Sequence, residues 1–325
     1  MTMPGSEKAS GDGSVDVPPM RISVVIPTYQ RERVLLETID YLLELEPGPA
    51  EIVIVDQTRD HEPDTQLALA ELETAGRICW IRLSQPSITH AMNVGLQKAR
   101  SEIVLFLDDD IIPGADLISS HTRAHATRDC DIVAGQVLQP GETPVTDEQS
   151  TKGFSFRSNR GQFITELMGG NFSIKRELAL ALGGFDENFV HVAYRFEAEF
   201  AARARAADER IWFEPAASIH HLKSKSGGTR AYGDHLTTVK PSHAVGEYYY
   251  FLRGSQVRRR MLKVLARPLR AIRTRHHLSH PWWIPGTLFA EGWGFCWAVA
   301  LAARGPKLLR GERGRGTGRR PGTGD

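Results

Sequence analysis

The chain has 325 residues, of which 41% are hydrophobic and 24% are charged, so it can bury a full core and is not an intrinsically disordered protein. The formal net charge of +1 conceals an asymmetry. From residue 251 onward there are 16 Lys and Arg but three Asp and Glu, whereas the preceding part has 24 and 36. Three cysteines, Cys79, Cys130 and Cys296, are too few and too scattered for a disulfide framework or a thiolate metal site, which favours a reducing compartment.

Composition divides the chain into four segments. Residues 1–20 are rich in Gly, Ser and Pro and have no apolar stretch, which predicts a disordered leader and not a secretory signal. Residues 21–253 have the patterns of a folded α/β domain, and residues 254–309 are predicted to form a basic helical extension. Residues 310–325 are rich in Gly and Arg and are predicted to be a disordered tail.

The first part of the folded domain predicts strands that alternate with helices. Short apolar, β-branched runs are typical of buried strands, and they occur at residues 22–27, 51–56, 78–83 and 103–107. Apolar residues at helical spacing fill the intervals at 33–45, 64–75 and 88–99. Strand–helix–strand alternation implies parallel strands with right-handed crossovers, so the strands end at one edge of the sheet. The polar residues expected to gather there are Thr28, Asp56, Ser87 and Asp108 to Asp110.

Beyond residue 114 the pattern is less regular. Helices are predicted at 116–127, 175–182 and 197–207. Strands are predicted at 132–138, 168–174 and 210–213. Residues 139–159 lack a core-forming pattern, so we expect a mobile loop beside the site.

The strand at 103–107 runs directly into three carboxylates, Asp108, Asp109 and Asp110. Adjacent carboxylates repel one another, so they require either open water or a cation. Ligands of open α/β sheets bind at the carboxyl ends of the strands, which favours a divalent ion at this position. The alternative is a solvated acidic turn that leads into residues 111–114.

Several short motifs occur along the folded domain, namely VIPTYQR at 25–31, VD at 55–56, NVG at 93–95, LDDD at 107–110, GGN at 169–171 and LGGFDE at 182–187. In order and spacing they resemble the motifs of the family 2 glycosyltransferases. The resemblance extends over about residues 22–253 and implies an α/β, GT-A fold, with a Rossmann-like, mostly parallel sheet flanked by helices. The basic, amphipathic and aromatic C-terminal extension would follow this domain. The resemblance further implies inverting transfer of a sugar from a nucleotide-diphosphate sugar to a glycan or lipid-linked acceptor.

The resemblance also implies which residues bind the nucleotide sugar. They are Pro27, Thr28, Tyr29, Arg31, Asp56, Asn93, Asp108, Asp109, Gly170 and Asn171. Asp56 would bond the base, although a helix N-cap is an alternative that the following Gln57 and Thr58 allow. Met92 departs from the family pattern, in which an arginine often precedes the asparagine, so a diphosphate contact is not expected there.

A metal ion, Mg²⁺ or Mn²⁺, is the expected cofactor, because it would neutralise the charge that develops on a nucleoside diphosphate leaving group. The resemblance implies Asp110, Asp108 and His221 as its candidate ligands, because many relatives carry a histidine at the position of His220 or His221. Asp110 is the expected direct ligand, and His220 is the alternative to His221. Asp109 is expected to face solvent.

Inverting transfer needs one general base that deprotonates the acceptor hydroxyl. The resemblance implies Glu197 in that role. Glu199 remains the runner-up, because the sequence departs from the family pattern at two points: Phe196 replaces the usual preceding acid, and a glutamate replaces the commoner aspartate. Two solvated glutamates in the first turn of a helix are the structural alternative. Phe196 also supports a different class of function, namely a non-catalytic scaffold that binds a nucleotide sugar or a polyanion.

The basic extension predicts attachment to a membrane surface. Residues 258–275 carry eight cations among apolar residues, a pattern that suits anionic lipids. Residues 282–303 hold four of the six tryptophans and one charge, Glu291, but Pro and Gly interrupt them, which favours an in-plane or re-entrant anchor over a full span. A helical pair packed on the domain or on a dimer partner is the alternative.

We therefore expect a cytoplasmic protein, peripheral on the inner face of the membrane. Nucleic acid is not an expected partner, because the aromatic residues of the extension cluster in an apolar block and are not interleaved with cations. The oligomeric state stays open.

Overall fold

The structure, a computed structural model, describes residues 20–145, 153–253 and 257–309. The predicted disorder of residues 1–19 and 310–325 lies outside the described residues, as do residues 146–152 of the predicted loop.

A single sheet with helices on its faces organises the described part of the chain. Its nine strands are β1 Ile22–Thr28, β2 Glu51–Asp56, β3 Cys79–Arg82, β4 Ile103–Leu107, β5 Ile111–Pro113, β6 Ile132–Leu138, β7 Gln162–Ile164, β8 Asn171–Lys175 and β9 Ile211–His221. Their spatial order is β3-β2-β1-β4-β8-β6-β9-β5, and β7 pairs with β9. The helices of the same residues are α1 Arg33–Leu43, α2 Pro63–Thr74, α3 Ile88–Lys98, α4 Leu117–Thr127, α5 Arg176–Ala181, α6 Phe196–Ala206, α7 Val245–Arg253, α8 Val257–Ile272, α9 Arg275–Ser279 and α10 Ile284–Arg304.

The predicted α/β fold class is confirmed. Strands β1 to β4 are parallel, because α1, α2 and α3 carry the chain back between them. Helices cover both faces here, so all five residues of β4 are buried. The other half of the sheet is mixed: β8 runs antiparallel to β4 and β6, whereas β6 and β9 are parallel.

Strand β9 is longer than its sequence indicated. The prediction ended this strand before Pro215, but the strand continues to His221. A register shift lets it pass the proline: Gly135 of β6 pairs with Glu214, and the next residue, Gln136, pairs with Ser218. The short strands β5 and β7, with three residues each, have too few positions to show a pattern and were not predicted.

The C-terminal helices pack on the rest of the molecule. Val264 of α8 and Ala298 and Leu301 of α10 belong to the hydrophobic cluster that includes Tyr248 of α7. After α10 the chain returns to the loop that follows α5, where the Leu309 N–H donates to the Gly183 carbonyl at 2.8 Å. The extension therefore shares a core with the sheet domain.

Helix α10 is continuous over 21 residues and has no break of the kind that a re-entrant segment needs, whereas the in-plane anchor stays a prediction. Its glycines do not interrupt it; Gly294 lies where a Cβ atom would be 2.7 Å from Ala244 Cβ, so the glycine permits close packing. The alternative of helices packed on the domain describes this arrangement. By length and composition the segment Pro281–Arg304 could cross a membrane, and 33% of its apolar window is buried in the protein.

Removing a buried side chain of α10 should destabilise the whole fold. We expect Leu301→Ala to lower the free energy of unfolding by about 2–4 kcal/mol, because it leaves a cavity in the shared core. Val299→Ala, on the exposed face of the same helix, should change it by less than about 0.5 kcal/mol. Denaturant unfolding followed by circular dichroism measures both. Equal, small effects would show that α10 is not part of the core.

Candidate functional site

A cavity of about 490 Å³ lies at the carboxyl ends of β1 and β4. We call it the first cavity. Ten of the predicted site residues line it: Pro27, Thr28, Tyr29, Arg31, Asp108, Asp109, Asp110, Gly170, Glu197 and His221. The structure places the other four outside its lining: Asp56, Asn93, Asn171 and Glu199.

Asp108, Asp110 and His221 form a cluster that can hold a metal ion. Each offers one ligand atom, and these atoms lie within 4.8 Å of one another. The Nε2 atom of His221 is 3.1 Å from Asp110 Oδ1 and 3.6 Å from Asp108 Oδ2. The pairing of β5 with β9 brings His221 opposite Ile111, next to the acidic turn, whereas the neighbouring His220 is exposed.

The groups around this cluster orient its ligands. The Nδ1 atom of His221 is 3.0 Å from Gln139 Oε1, so a Nδ1–H donor leaves Nε2 free to coordinate. Burial opposes the charge of Asp110, but His221, Arg31 and the Ser224 N–H, at 2.7 Å, together hold the pKa of this carboxyl below its usual range. Two carboxylates and one imidazole fit Mn²⁺ better than Mg²⁺, because Mg²⁺ binds oxygen ligands almost exclusively.

Gly170 leaves the space that the Asp108 carboxylate occupies. A Cβ atom at position 170 would lie 2.1 Å from Asp108 Oδ2, so any other residue there would displace the carboxylate from this position. The Asp108 side chain stays 40% exposed, on the cavity side of the cluster. The glycine pair that precedes β8 thus leaves room for a side chain of the acidic turn.

Asp109 was expected to face solvent, but it is buried. Its residue is 6% exposed, and its carboxylate accepts hydrogen bonds from Thr28 Oγ1 at 2.7 Å and Arg31 Nε at 3.0 Å. Burial raises the pKa of Asp109 to about 7, although the guanidinium of Arg31 opposes the rise. The expectation was wrong because the acidic turn is packed against the loop after β1, which sequence pattern alone does not reveal.

The glycine-rich segment after β9 closes over the same loop. The Gly228 N–H donates to the Tyr29 carbonyl at 2.7 Å, and Arg31 donates to the Ser226 carbonyl. Gly227 has φ = 72°, and a Cβ atom there would lie 2.1 Å from the Gln30 carbonyl oxygen. Of the cations in this segment, Arg230 lines the first cavity, whereas Lys223 and Lys225 do not.

Glu197 and Glu199, the two candidates for a general base, have different surroundings. Glu197 lines the first cavity beside Gly169, and burial together with the charge of Asp108 raises its pKa to about 7. Glu199 is 6% exposed and is paired with Arg203, whose Nε and Nη2 atoms lie 2.8 and 2.9 Å from its oxygens. Glu199 is thus engaged in a buried ion pair away from the cavity.

Phe196 contributes to the core beside this site. It is 5% exposed and packs edge-on against Phe185, with ring centroids 5.9 Å apart. Its replacement of an acid therefore has a packing reason, which weakens its support for a non-catalytic scaffold.

Asp56 has partners other than a nucleotide base. It is 0% exposed, and its carboxylate contacts the Thr58 N–H at 2.8 Å, His61 Nε2 at 2.7 Å and Trp80 Nε1 at 3.0 Å. These contacts leave it no open face toward the cavity, so the expectation of a base contact is corrected to support of the turn after β2. The alternative of a helix N-cap is not seen either, because α2 has Glu62 as its N-cap, and the Thr58 N–H that donates to Asp56 belongs to the turn after β2.

Asn93 and Asn171 are also structural. Asn93 accepts from the Phe185 N–H at 2.7 Å and donates to the Phe185 carbonyl at 2.9 Å, which fixes the loop after α5. Asn171 donates to the carbonyls of Gln136 and Ala217 at 3.0 and 2.9 Å, where β6 and β9 shift register. Both are buried, so the expectation that they contact the nucleotide sugar is corrected.

Three residues that the sequence reasoning missed complete the first cavity. Gln57 bridges two loops, because its Nε2 donates to the Thr28 carbonyl at 3.1 Å and its Oε1 accepts from the Ser87 N–H at 2.5 Å. Tyr232 lies with its ring centroid 6.5 Å from that of Tyr29. Gln139 orients His221. Only Gln57, directly after a predicted strand, had a signal that could have identified it.

Comparison with known families supports the motif reading. Residues 23–183 match the model described as glycosyl transferase family 2, which confirms the resemblance over that stretch. The stretch contains the acidic turn and Gly170 but ends before Glu197 and His221.

Curated relatives are distant. The chain is 24% identical over 180 residues to a glucosyl-dolichyl phosphate glucuronosyltransferase of Haloferax volcanii, which covers 52% of this chain and 57% of that protein. It is 26% identical over 118 residues to an uncharacterized glycosyltransferase, YfnE, of Bacillus subtilis, which covers 36% and 30%. The chain therefore spans less than two thirds of each of these relatives.

Solved structures share the fold. GalNAc-T7 with UDP, GalNAc and Mn²⁺ superposes with a TM-score of 0.53 at 15% identity, over 63% of this chain and 44% of that one. TarS 1-349 of S. aureus with UDP-GlcNAc gives 0.53 at 15% identity, over 84% and 91%. The mannosyltransferase PcManGT of Pyrobaculum calidifontis with GDP-Man and Mn²⁺ gives 0.50 at 20% identity, over 89% and 76%. These likenesses establish the GT-A fold.

Proposed function

We propose that this chain, whose residues 23–183 match the family 2 glycosyltransferases, is a metal-dependent inverting glycosyltransferase. It would transfer a sugar from a nucleotide-diphosphate sugar to a hydroxyl of a glycan or lipid-linked acceptor. The observation that carries the proposal is one cavity that contains both a metal-binding cluster and a carboxylate, Glu197, with its pKa raised to about 7.

Asp108, Asp110 and His221 would hold the metal ion, preferably Mn²⁺, with Gln139 and Ser224 fixing the ligands. Such an ion supplies charge neutralisation to the diphosphate as it leaves. Arg230 also lines the cavity and would add a second positive charge beside the phosphates. The structural neighbours that were solved with UDP or GDP-Man and Mn²⁺ are consistent with this donor class.

The nucleoside would lie at the end of the first cavity formed by the loop after β1 and by Gln57, Pro86 and Tyr232. The Tyr29 and Tyr232 rings supply apolar faces for a base, and the Gln57 amide fixes the loop that carries Thr28. Asp56 acts indirectly here, through the turn that it stabilises.

Glu197 would act as the general base. Its carboxylate accepts the proton of the acceptor hydroxyl while the oxygen forms a bond to the anomeric carbon. The bond between that carbon and the diphosphate oxygen breaks, and the nucleoside diphosphate leaves with the electron pair. A pKa near 7 suits a base that works near neutral pH.

We further propose that α8 attaches the protein to the cytoplasmic face of a membrane. Leu262, Leu265 and Leu269 are 66, 69 and 59% exposed and recur at helical spacing, with Val264 buried on the opposite side. Arg273 is exposed directly after the helix and would contact anionic headgroups.

The two glutamates should separate by their effects. We expect Glu197→Gln to lower kcat by a factor of about 10² or more, because the base is lost, with little change in the melting temperature. Glu199→Gln should retain turnover but lower the stability by about 1–3 kcal/mol, because it leaves Arg203 partly unpaired. Release of nucleoside diphosphate from a panel of nucleotide sugars with Mn²⁺ and acceptors measures turnover.

The pH profile is a second readout of the same assignment. A base must be deprotonated to act, so kcat/KM should rise with pH on its acid limb and level off above the pKa of Glu197. A bound metal ion would offset only the contribution of Asp108 to the raised pKa of Glu197, and the larger contribution of burial would remain. The midpoint of the acid limb should therefore lie above the ordinary glutamate pKa of about 4.3. Full activity of Glu197→Gln would contradict the mechanism, and binding of a nucleotide sugar without turnover under any condition would favour the scaffold.

Membrane attachment predicts a loss of binding when the apolar face of α8 gains a charge. Leu265→Asp should reduce cosedimentation with phosphatidylglycerol vesicles several-fold, because a carboxylate opposes both apolar burial and the anionic surface. Leu67→Asp is the matched control, since Leu67 of α2 is also exposed, at 61%. Equal binding of the two variants, or no binding of the wild type, would overturn the attachment.

A further inference from the structure

A second cavity, of about 520 Å³, lies behind residues 194–195. Its walls come from α7, α8, α10 and the segment before α7, and we call it the second cavity. None of the residues that we assign to the metal, the nucleoside or the base lines it.

Positive charge exceeds negative charge in this cavity. Arg195, Arg267 and Arg270 approach the single carboxylate of Glu247, with nitrogen–oxygen distances of 3.7, 3.1 and 3.6 Å. The other carboxylate of the lining, Glu291, lies 3.0 Å from Arg267 and accepts a hydrogen bond from Tyr248.

A further cation of the lining, Lys240, has no carboxylate within ion-pair distance among the described residues. Four cations therefore share two carboxylates. Cations crowded in a partly buried cavity are stabilised by an anion that accepts several of their hydrogen bonds. Arginine, with its planar fork of donors, is the residue best suited to phosphate.

The two cavities meet at one strained segment. Tyr194 and Arg195 line both of them, and His191, Ala193 and Arg195 have φ angles of 58, 52 and 79°. Non-glycine residues in this region cost energy and cluster at binding sites. Arg195 thus lies between the two cavities and approaches Glu247 of the second, while Glu197, two positions later, lines the first.

We propose that the second cavity is an acceptor subsite that binds a phosphate ester, the group that joins the acceptor sugar to its carrier. Arg195, Arg270 and Lys240 hold the phosphate, and the sugar extends past residues 194–195 so that its hydroxyl meets Glu197. The proposal rests on the proposed function for the identity of the acceptor, but the anion site itself does not depend on catalysis. Helix α8 lines the cavity with Arg267 and Arg270 and also carries the exposed leucines, which favours a lipid as the carrier.

Binding of phosphate compounds to the full chain, without donor or metal, tests the site by calorimetry. The probes are glucose 1-phosphate, farnesyl phosphate, farnesol and inorganic phosphate. Arg270→Ala/Lys240→Ala removes two cations of the cavity, and Arg273→Ala/Arg275→Ala removes the same charge from exposed positions outside it. We expect the first variant to weaken binding of both phosphate esters at least about tenfold and the control to change it by less than about twofold.

Equal dissociation constants for the three proteins would overturn the subsite, as would farnesol binding as tightly as farnesyl phosphate or no phosphate binding by the wild type. Competition by inorganic phosphate would support a phosphate site. Tighter binding of farnesyl phosphate than of glucose 1-phosphate would support the subsite with a lipid carrier, and the reverse order would support it with a soluble one. If the wild type binds phosphate esters as expected but turns over no nucleotide sugar, the proposed function fails and the anion site stands.

Discussion

The repulsion among three adjacent carboxylates at the end of a buried strand is the constraint on which the site depends. The repulsion is relieved differently at each carboxylate. Asp109 turns inward to Thr28 and Arg31, whereas Asp110 is held by His221 and the Ser224 N–H. Asp108 remains half exposed beside the His221 imidazole, where a divalent ion would complete the charge balance. Arg31 therefore joins the loop after β1, the acidic turn and the glycine-rich segment after β9.

Local pattern was sufficient to predict the parallel half of the sheet and the residues that follow its strands. Buried β-branched runs and helical spacing specify βαβ units, and parallel strands must end on one edge, so Thr28 and the acidic turn were predicted to meet. The resemblance to the family 2 glycosyltransferases added Glu197 and His221, which come to the same cavity from distant positions in the chain.

Buried polar residues set the limit of that reasoning. Asp56, Asn93 and Asn171 occupy motif positions, yet each is enclosed by partners that lie far away in sequence. A polar side chain that hydrogen-bonds to the backbone of a loop and one that binds a ligand look alike in sequence, because both need the same donors and acceptors. Composition is ambiguous for α10 as well, because an apolar helix can enter a membrane or pack in a core, and here one face of the helix packs on α7. The second cavity was also beyond prediction, since its four cations come from three separate segments of the chain.

The central claim is that one metal ion joins the Asp108, Asp110 and His221 cluster to the diphosphate of a nucleotide sugar. Pulsed electron paramagnetic resonance of Mn²⁺ bound to the protein with UDP or GDP tests it directly. The account predicts a ¹⁴N coupling from an imidazole that disappears in His221→Ala and persists in the matched variant His220→Ala, together with ³¹P coupling from the nucleotide. A ¹⁴N coupling that survives in His221→Ala, or bound Mn²⁺ with no ³¹P coupling, would contradict it.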